Sequence, residues 1–131
     1  MGDIMILNEK EVQICLEFAL EPLLKNYSIK MKEAQLSIDK KINIQSTILY
    51  QDHILDLKAS FLLNYHHDQL CFDDIEGKVE YLFLQLNLMS VLKQLIKHDA
   101  VKITDHSCYY HCHLPIQNII IKDHSLEIQL Q

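Results

Sequence analysis

The apolar period of this chain changes from 3.6 to 2 after Tyr27 and holds there through Asn64. In "AQLSIDKKINIQSTIL", Ala34, Leu36 and Ile38 alternate with Gln35, Ser37 and Asp39. Ile42, Ile44, Ser46 and Ile48 then alternate with Asn43, Gln45 and Thr47. In "ILDLKASFLLNY", Leu55, Leu57, Ala59, Phe61 and Leu63 share one face against Asp56, Lys58, Ser60 and Asn64. Successive side chains on a strand point to opposite faces, so the pattern predicts antiparallel strands with one covered and one wetted face. "YQDH" and "YHHDQ" are the expected reversals between them.

Ahead of the strands, "NEKEVQICLEFALEPLLKNY" has helical spacing, with Val12, Cys15, Leu16, Ala19, Leu23 and Tyr27 recurring at three and four. Asn8 is placed to cap it, with Glu11 three residues on as the partner of a capping box. Ile14, Phe18, Leu20 and Leu24 widen the apolar face, which suits a helix covered on much of its circumference. Pro22 would kink it or end its regular part.

"LCFDDIEGKVEYLFLQL" reads as a longer, less regular strand, with Gly77 at a bulge or bend and Leu82 to Leu88 apolar on both faces. "NLMSVLKQLIKHD" is a second helix, capped by Asn87 or Ser90, and "IIIKDHSLEIQL" a closing hairpin turning at "KDHS". The expected class is α+β: a curved antiparallel sheet wrapped around a long N-terminal helix, in the order α-β-β-β-(β)-α-β-β. It is expected as a single domain over residues 1–131.

Charge narrows the function classes. The formal net charge is −6, and all twelve basic residues are lysine. Arginine supplies the bidentate contacts to phosphate and guanine, so nucleic acid is not the expected partner. No basic leader precedes an apolar run, and no apolar window approaches about 18 residues, so neither a signal peptide nor a transmembrane segment is expected. A cytoplasmic address follows, with the four cysteines reduced.

"HSCYYHCHLP", residues 106–115, gathers three of the eight histidines and two of the four cysteines. On a strand, Cys108, Tyr110, Cys112 and Leu114 would point one way, as a buried face in which thiols act as small hydrophobes. Ser107, Tyr109, His111 and His113 would point the other. His111 and His113 would stand about 7 Å apart, which is two ligands where a zinc site needs three or four. Cys-x3-Cys is also neither a zinc knuckle nor a thioredoxin-like pair. "YHHD" reads as a solvated turn and "DDIE" as a charged strand end. No phosphate-cradling loop, nucleophile elbow or zinc-protease motif is present. The chain is therefore expected to be no enzyme, and to need no metal and no cofactor.

The greasy first helix, the alternating strands, "YLFLQLNLMSVLKQLI" and the closing "LPIQNIIIKDHSLEIQL" together resemble the bacterial half-sized members of the tubular lipid-binding (TULIP, BPI-like) superfamily. The resemblance implies an apolar, lipid-like ligand held between helix and curved sheet. Phe18, Leu36, Ile44, Phe61, Phe83 and Leu86 are the cavity-lining candidates it implies. The alternative is a small acidic protein-interaction module, a chaperone-like homodimer with no small-molecule ligand.

Overall fold

The computed structural model describes residues 2–131. Strand β1 (Ile4–Asn8) leads into helix α1 (Glu9–Asn26). Four long strands follow: β2 (Ile29–Ile38), β3 (Ile42–Tyr50), β4 (His53–His66) and β5 (Gln69–Tyr81). The short β6 (Leu84–Asn87) runs into α2 (Leu88–Leu95). The chain closes with β7 (Val101–Ile103), β8 (Cys108–His111), β9 (Ile116–Lys122) and β10 (Ser125–Leu130). The class is α+β and every strand pair is antiparallel.

The strands form two sheets. One is three-stranded, in the order β1-β10-β9. The other runs β2-β3-β4-β5-β8-β7, with β6 added beside β5. The order expected from sequence lacked β1, which is a single short run whose partner lies at the far end of the chain, with Ile4 opposite Gln129. It also carried one strand through residues 82–88, where the chain turns back at Leu82 and Phe83 to make β6, and it counted two strands after α2 where there are four, the short β7 and β8 preceding the β9–β10 hairpin.

Helix α1 starts where the capping box places it. Asn8 Oδ1 accepts from the Glu11 N–H at 2.8 Å, and the Glu11 carboxylate accepts from the Asn8 N–H at 3.0 Å. It continues through Pro22, whose missing N–H leaves the Phe18 carbonyl without a helical donor. One stripe, Val12, Leu16 and Leu23, is buried, while Ile14 and Phe18 stay exposed. The helix is covered on one side rather than around much of its circumference. Asn87 caps α2 by accepting from the Ser90 N–H.

Glu9, the first residue of α1, joins three parts of the fold. Its Oε2 accepts from the Ile38 N–H at 2.6 Å and lies 3.3 Å from Nδ1 of His124 in the β9–β10 turn. The His124 N–H in turn donates to the Ile38 carbonyl at 3.0 Å. The side chains near this link are deeply buried: Ile38 and Ile42 fully, and Val12 and Leu126 nearly so. Around them one apolar cluster draws on both sheets and both helices.

Two bulges bend the larger sheet. In β2, Glu33 and Ala34 interrupt the pairing between Lys32 and Gln35, with Glu33 at φ 52°. Ser46 faces this break as a buried polar side chain, and its hydroxyl donates to the Lys32 carbonyl at 2.8 Å. In β5 the break falls at Asp74, φ 48°, between the Ser60 and Leu62 pairings, and Lys41 Nζ holds both its carbonyl and its carboxylate. Gly77, expected at a bulge, sits three residues away for another reason. A Cβ there would come within 2.6 Å of the Lys58 carbonyl oxygen and 2.8 Å of the Leu88 Cδ2 on α2.

Gly77→Ala should therefore cost about 1–3 kcal/mol in urea unfolding, the range for overpacking a close contact, by pushing α2 off the sheet. The Glu9–His124 link has a pH signature. The bond to Ile38, and then to His124, lowers the Glu9 pKa, while the bond to Glu9, and then the Asp123 charge, raises that of His124. A raised imidazole pKa contributes stability below the ordinary imidazole value and loses it as pH rises through the folded pKa. A lowered carboxylate pKa contributes above the ordinary carboxylate value and loses it as pH falls through its own. The melting-temperature gap between wild type and His124→Gln should be widest in mildly acidic buffer. It should close as pH rises past the His124 titration.

Candidate functional site

The six candidate lining residues fall into separate places. Leu36 and Ile44 are cross-strand partners that pack under α1. Together with Leu16, Leu20, Met31 and Ala34 they bound a cavity of about 20 Å³. Phe61 is buried deeper, its ring edge-on to that of Phe72 at 5.2 Å. Phe18 lies on the uncovered side of α1, 79% exposed, and Phe83 and Leu86 belong to the β5–β6 hairpin. The structure thus joins Leu36 with Ile44, puts Phe83 and Leu86 on one hairpin, and leaves Phe18 and Phe61 apart from both.

A larger concavity, about 760 Å³ and open, crosses β2 to β5. Its middle row, Leu36, Ile44, Ala59 and Gly77, runs across the sheet in register; the first three turn their side chains to the core, and Gly77 has none. The flanking rows are Gln35, Gln45, Lys58 and Lys78 on one side and Ser37, Asn43, Ser60 and Glu76 on the other. This is the wetted face of the alternating strands. The facing lysines Lys58 and Lys78 are offset by acids two residues away on their own strands, Asp56 and Glu80, and Lys78 reaches Glu80 at 3.1 Å.

The histidine-rich stretch forms β8 and the turn after it. Cys108, Tyr110, Cys112 and Leu114 pack on the core, as alternation requires. On the other face Ser107 and Tyr109 both donate to Asp73, His111 pairs with Gln69, and His113 Nδ1 lies 3.1 Å from Asp68. Regular pairing ends at His111, and Tyr65 carries the chain onward. Its hydroxyl, almost fully buried, donates to the Cys112 carbonyl at 2.7 Å and accepts from the Leu114 N–H at 2.8 Å.

Among the described residues, no group of three or more histidine, cysteine or acidic side chains is placed to hold a metal ion. The thiols next to this stretch are held protonated. Burial, and then the Asp73 charge, pushes Cys71 up; burial alone takes Cys108 up to about 11; burial first of all raises Cys112. His66 stands 3.8 Å from the Cys71 sulfur, but a thiol raised in this way is the opposite of an activated nucleophile.

The conspicuous site is one that the apolar run at 82–88 hinted at without giving its shape. Leu82 and Phe83 form the two-residue turn between β5 and β6, 79% and 90% exposed, with Leu84 and Leu86 exposed behind them. Leu82 has φ 56°, a left-handed conformation that costs an L-residue roughly 1–2 kcal/mol and is normally given to glycine or asparagine. The turns at Gln51–Asp52, His67–Asp68 and Asp123–His124 also contain positive φ, and all are polar. At the root of the apolar turn, the Tyr81 hydroxyl meets His53 Nδ1 at 2.9 Å.

Tyr65→Phe should cost about 1–2 kcal/mol, because it strands a part-buried carbonyl and a part-buried N–H together. Hydrogen exchange at Leu114 should accelerate while β2 and β3 keep their protection. Compared with protein-family models, with curated proteins and with solved structures, the chain matches none of them.

Proposed function

We propose that the protein is a non-enzymatic interaction module that grips a partner protein with the Leu82–Leu86 hairpin. One observation carries this reading. The β5–β6 turn is built from two large apolar residues, 79% and 90% exposed, on a backbone that holds the first of them in the left-handed region. Strain of this kind persists where surrounding structure enforces it, which is common at sites of binding. An exposed aromatic beside leucines is the kind of anchor that fills a pocket on a partner.

The other function suggested by the sequence, a lipid-like ligand between α1 and a curved sheet, would need a cleft of roughly 300–1,000 Å³. The cavity that α1 and the sheet bound around Leu36 and Ile44 is about 20 Å³, on the order of one water. The protonated thiols and the scattered, solvated histidines support a reading without catalysis. Four free cysteines fit a cytoplasmic setting. Among the described residues no helix is long and apolar enough to cross a membrane.

The test replaces the turn by one suited to its backbone, Leu82→Gly with Phe83→Asn. The doubly substituted protein should be more stable, by up to about 1 kcal/mol given the cost of the left-handed leucine, and should lose partner binding. A photo-crosslinking phenylalanine analogue at position 83 should trap a discrete protein adduct in cell extract, and the same analogue at position 50 should not. A releasable lipid-sized mass in native mass spectrometry, with no adduct at position 83, would sink the proposal and return the function to ligand binding.

A further inference from the structure

The alternation that wets one face of the larger sheet breaks at one end. On that face β3 carries Asn43, Gln45 and Thr47, and β4 carries Asp56, Lys58 and Ser60. Toward the β3–β4 turn the same face carries Leu49 and Ile54 instead. These two are register partners, and Ile54 is 65% exposed. Neither belongs to the apolar cluster of the core. Exposed apolar residues scattered singly are ordinary, but contiguous ones mark contact surfaces.

The break adjoins the apolar turn. Asp56 pairs with Glu80, and the same register carried two residues on sets Ile54 beside Leu82. The two strand ends are also joined directly: the Tyr81 hydroxyl meets His53 Nδ1 at 2.9 Å, and the rings stand edge-on with centroids 5.1 Å apart. Leu49, Ile54, Leu82 and Phe83 therefore make one apolar end of the sheet, two turns wide.

The charges nearest to it are acidic. Asp52 lies in the β3–β4 turn, and Asp56 and Glu80 stand opposite each other in the next row back. Like charges directly opposite destabilise a strand pair. Lys78 reaches Glu80 at 3.1 Å, but among the described residues neither Asp52 nor Asp56 is in an ion pair. The bases stand farther off. Lys58 and Lys78 face each other one row farther from the turn, and Lys30 and Lys32 lie on β2, beyond Leu49 and Thr47.

We infer that the partner of the hairpin covers this whole end of the sheet, burying Ile54 with Leu82 and Phe83, and sets a lysine or arginine against Asp56 and Glu80. This rests on the reading of the hairpin as a protein contact, and it names the chemistry of the partner: an apolar pocket with a basic rim. A cation between two facing acids relieves their repulsion, and a chain of net charge −6 draws a basic partner from a distance. The same acids repel an anionic lipid surface.

The experiment places the photo-crosslinking phenylalanine analogue at position 83 or, separately, at position 54 of the whole chain in cell extract. Both should trap the same protein. Chymotryptic peptides of the adduct should show lysine or arginine within a few residues of the crosslink. With the analogue at position 83, Asp56→Asn should cut the adduct several-fold, and Lys58→Gln should not reduce it. Both substitutions fall at exposed positions, and circular dichroism checks that each protein is folded. Raising salt from about 0.1 to about 1 M, which shortens the Debye length from about 10 to about 3 Å, should also cut the adduct, whereas a purely apolar contact would hold. An adduct at position 83 with none at 54, or one indifferent to Asp56→Asn and to salt, would overturn the inference and leave the reading of the hairpin standing. No adduct at either position would remove both. Binding of wild type to phosphatidylglycerol vesicles, lost in the Leu82→Gly/Phe83→Asn protein, would put a membrane in the partner's place and overturn both as well.

Discussion

The carboxylate of Glu9 ties the two sheets and the first helix into one piece. It stands at the N-terminus of α1, where the helix dipole favours a negative charge, and takes the last N–H of β2 along with the His124 imidazole. Its reach sets where the β9–β10 turn can sit, since His124 donates its own N–H to the same residue of β2. Ile38, Ile42, Val12 and Leu126 fill the space beneath. Without that link the three-stranded sheet would keep its apolar packing and the Ile119–Asn64 hydrogen bond at 3.3 Å, but lose its charged anchor. Packing is non-directional, and hydrogen bonds to a charged group are not.

The elements easiest to read were those whose signal is local. Asn8 and Glu11 announced the start of α1, and alternation from Ala34 to Asn64 gave β3, the second half of β2 and most of β4. Polar turns at Gln51, His67 and Asp123 marked three hairpins. What stayed hidden depended on distance or on missing grammar. β1 shows too few residues for a period to register, and its partner is β10, remote in sequence. The turn at Leu82 lacks glycine, proline, asparagine and aspartate, so nothing in its letters says that the chain reverses. The exposure of Ile14 and Phe18 was equally illegible, because an apolar residue reads the same whether a neighbour covers it or not.

The candidate site was legible only as an oddity, a run apolar on both faces. The fold resolves this into a hairpin whose Leu84 and Leu86 share the core-side face of β5 but lie at its margin, beyond full cover. The histidine-rich stretch, more arresting as sequence, becomes an ordinary half-covered strand anchored by the Tyr65 hydroxyl. Alternation alone was enough to foresee that Cys108 and Cys112 would face away from His111 and His113.

Pairing Ile4 with Gln129 also has a consequence in time. Nearly the whole described chain lies between these two residues, so β1 and β10 close a very wide loop. Entropy sets the cost of such closure, and long-range pairing of this kind slows folding. On a ribosome, β2 to β5 have their hairpin partners in hand early. The first strand, made before any of them, must wait for β10 to be synthesised. Until then Ile4, Ile6 and Leu7 sit on a segment without its mate, so the interval in which a nascent chain is most exposed to wrong pairing is set by the speed of translation.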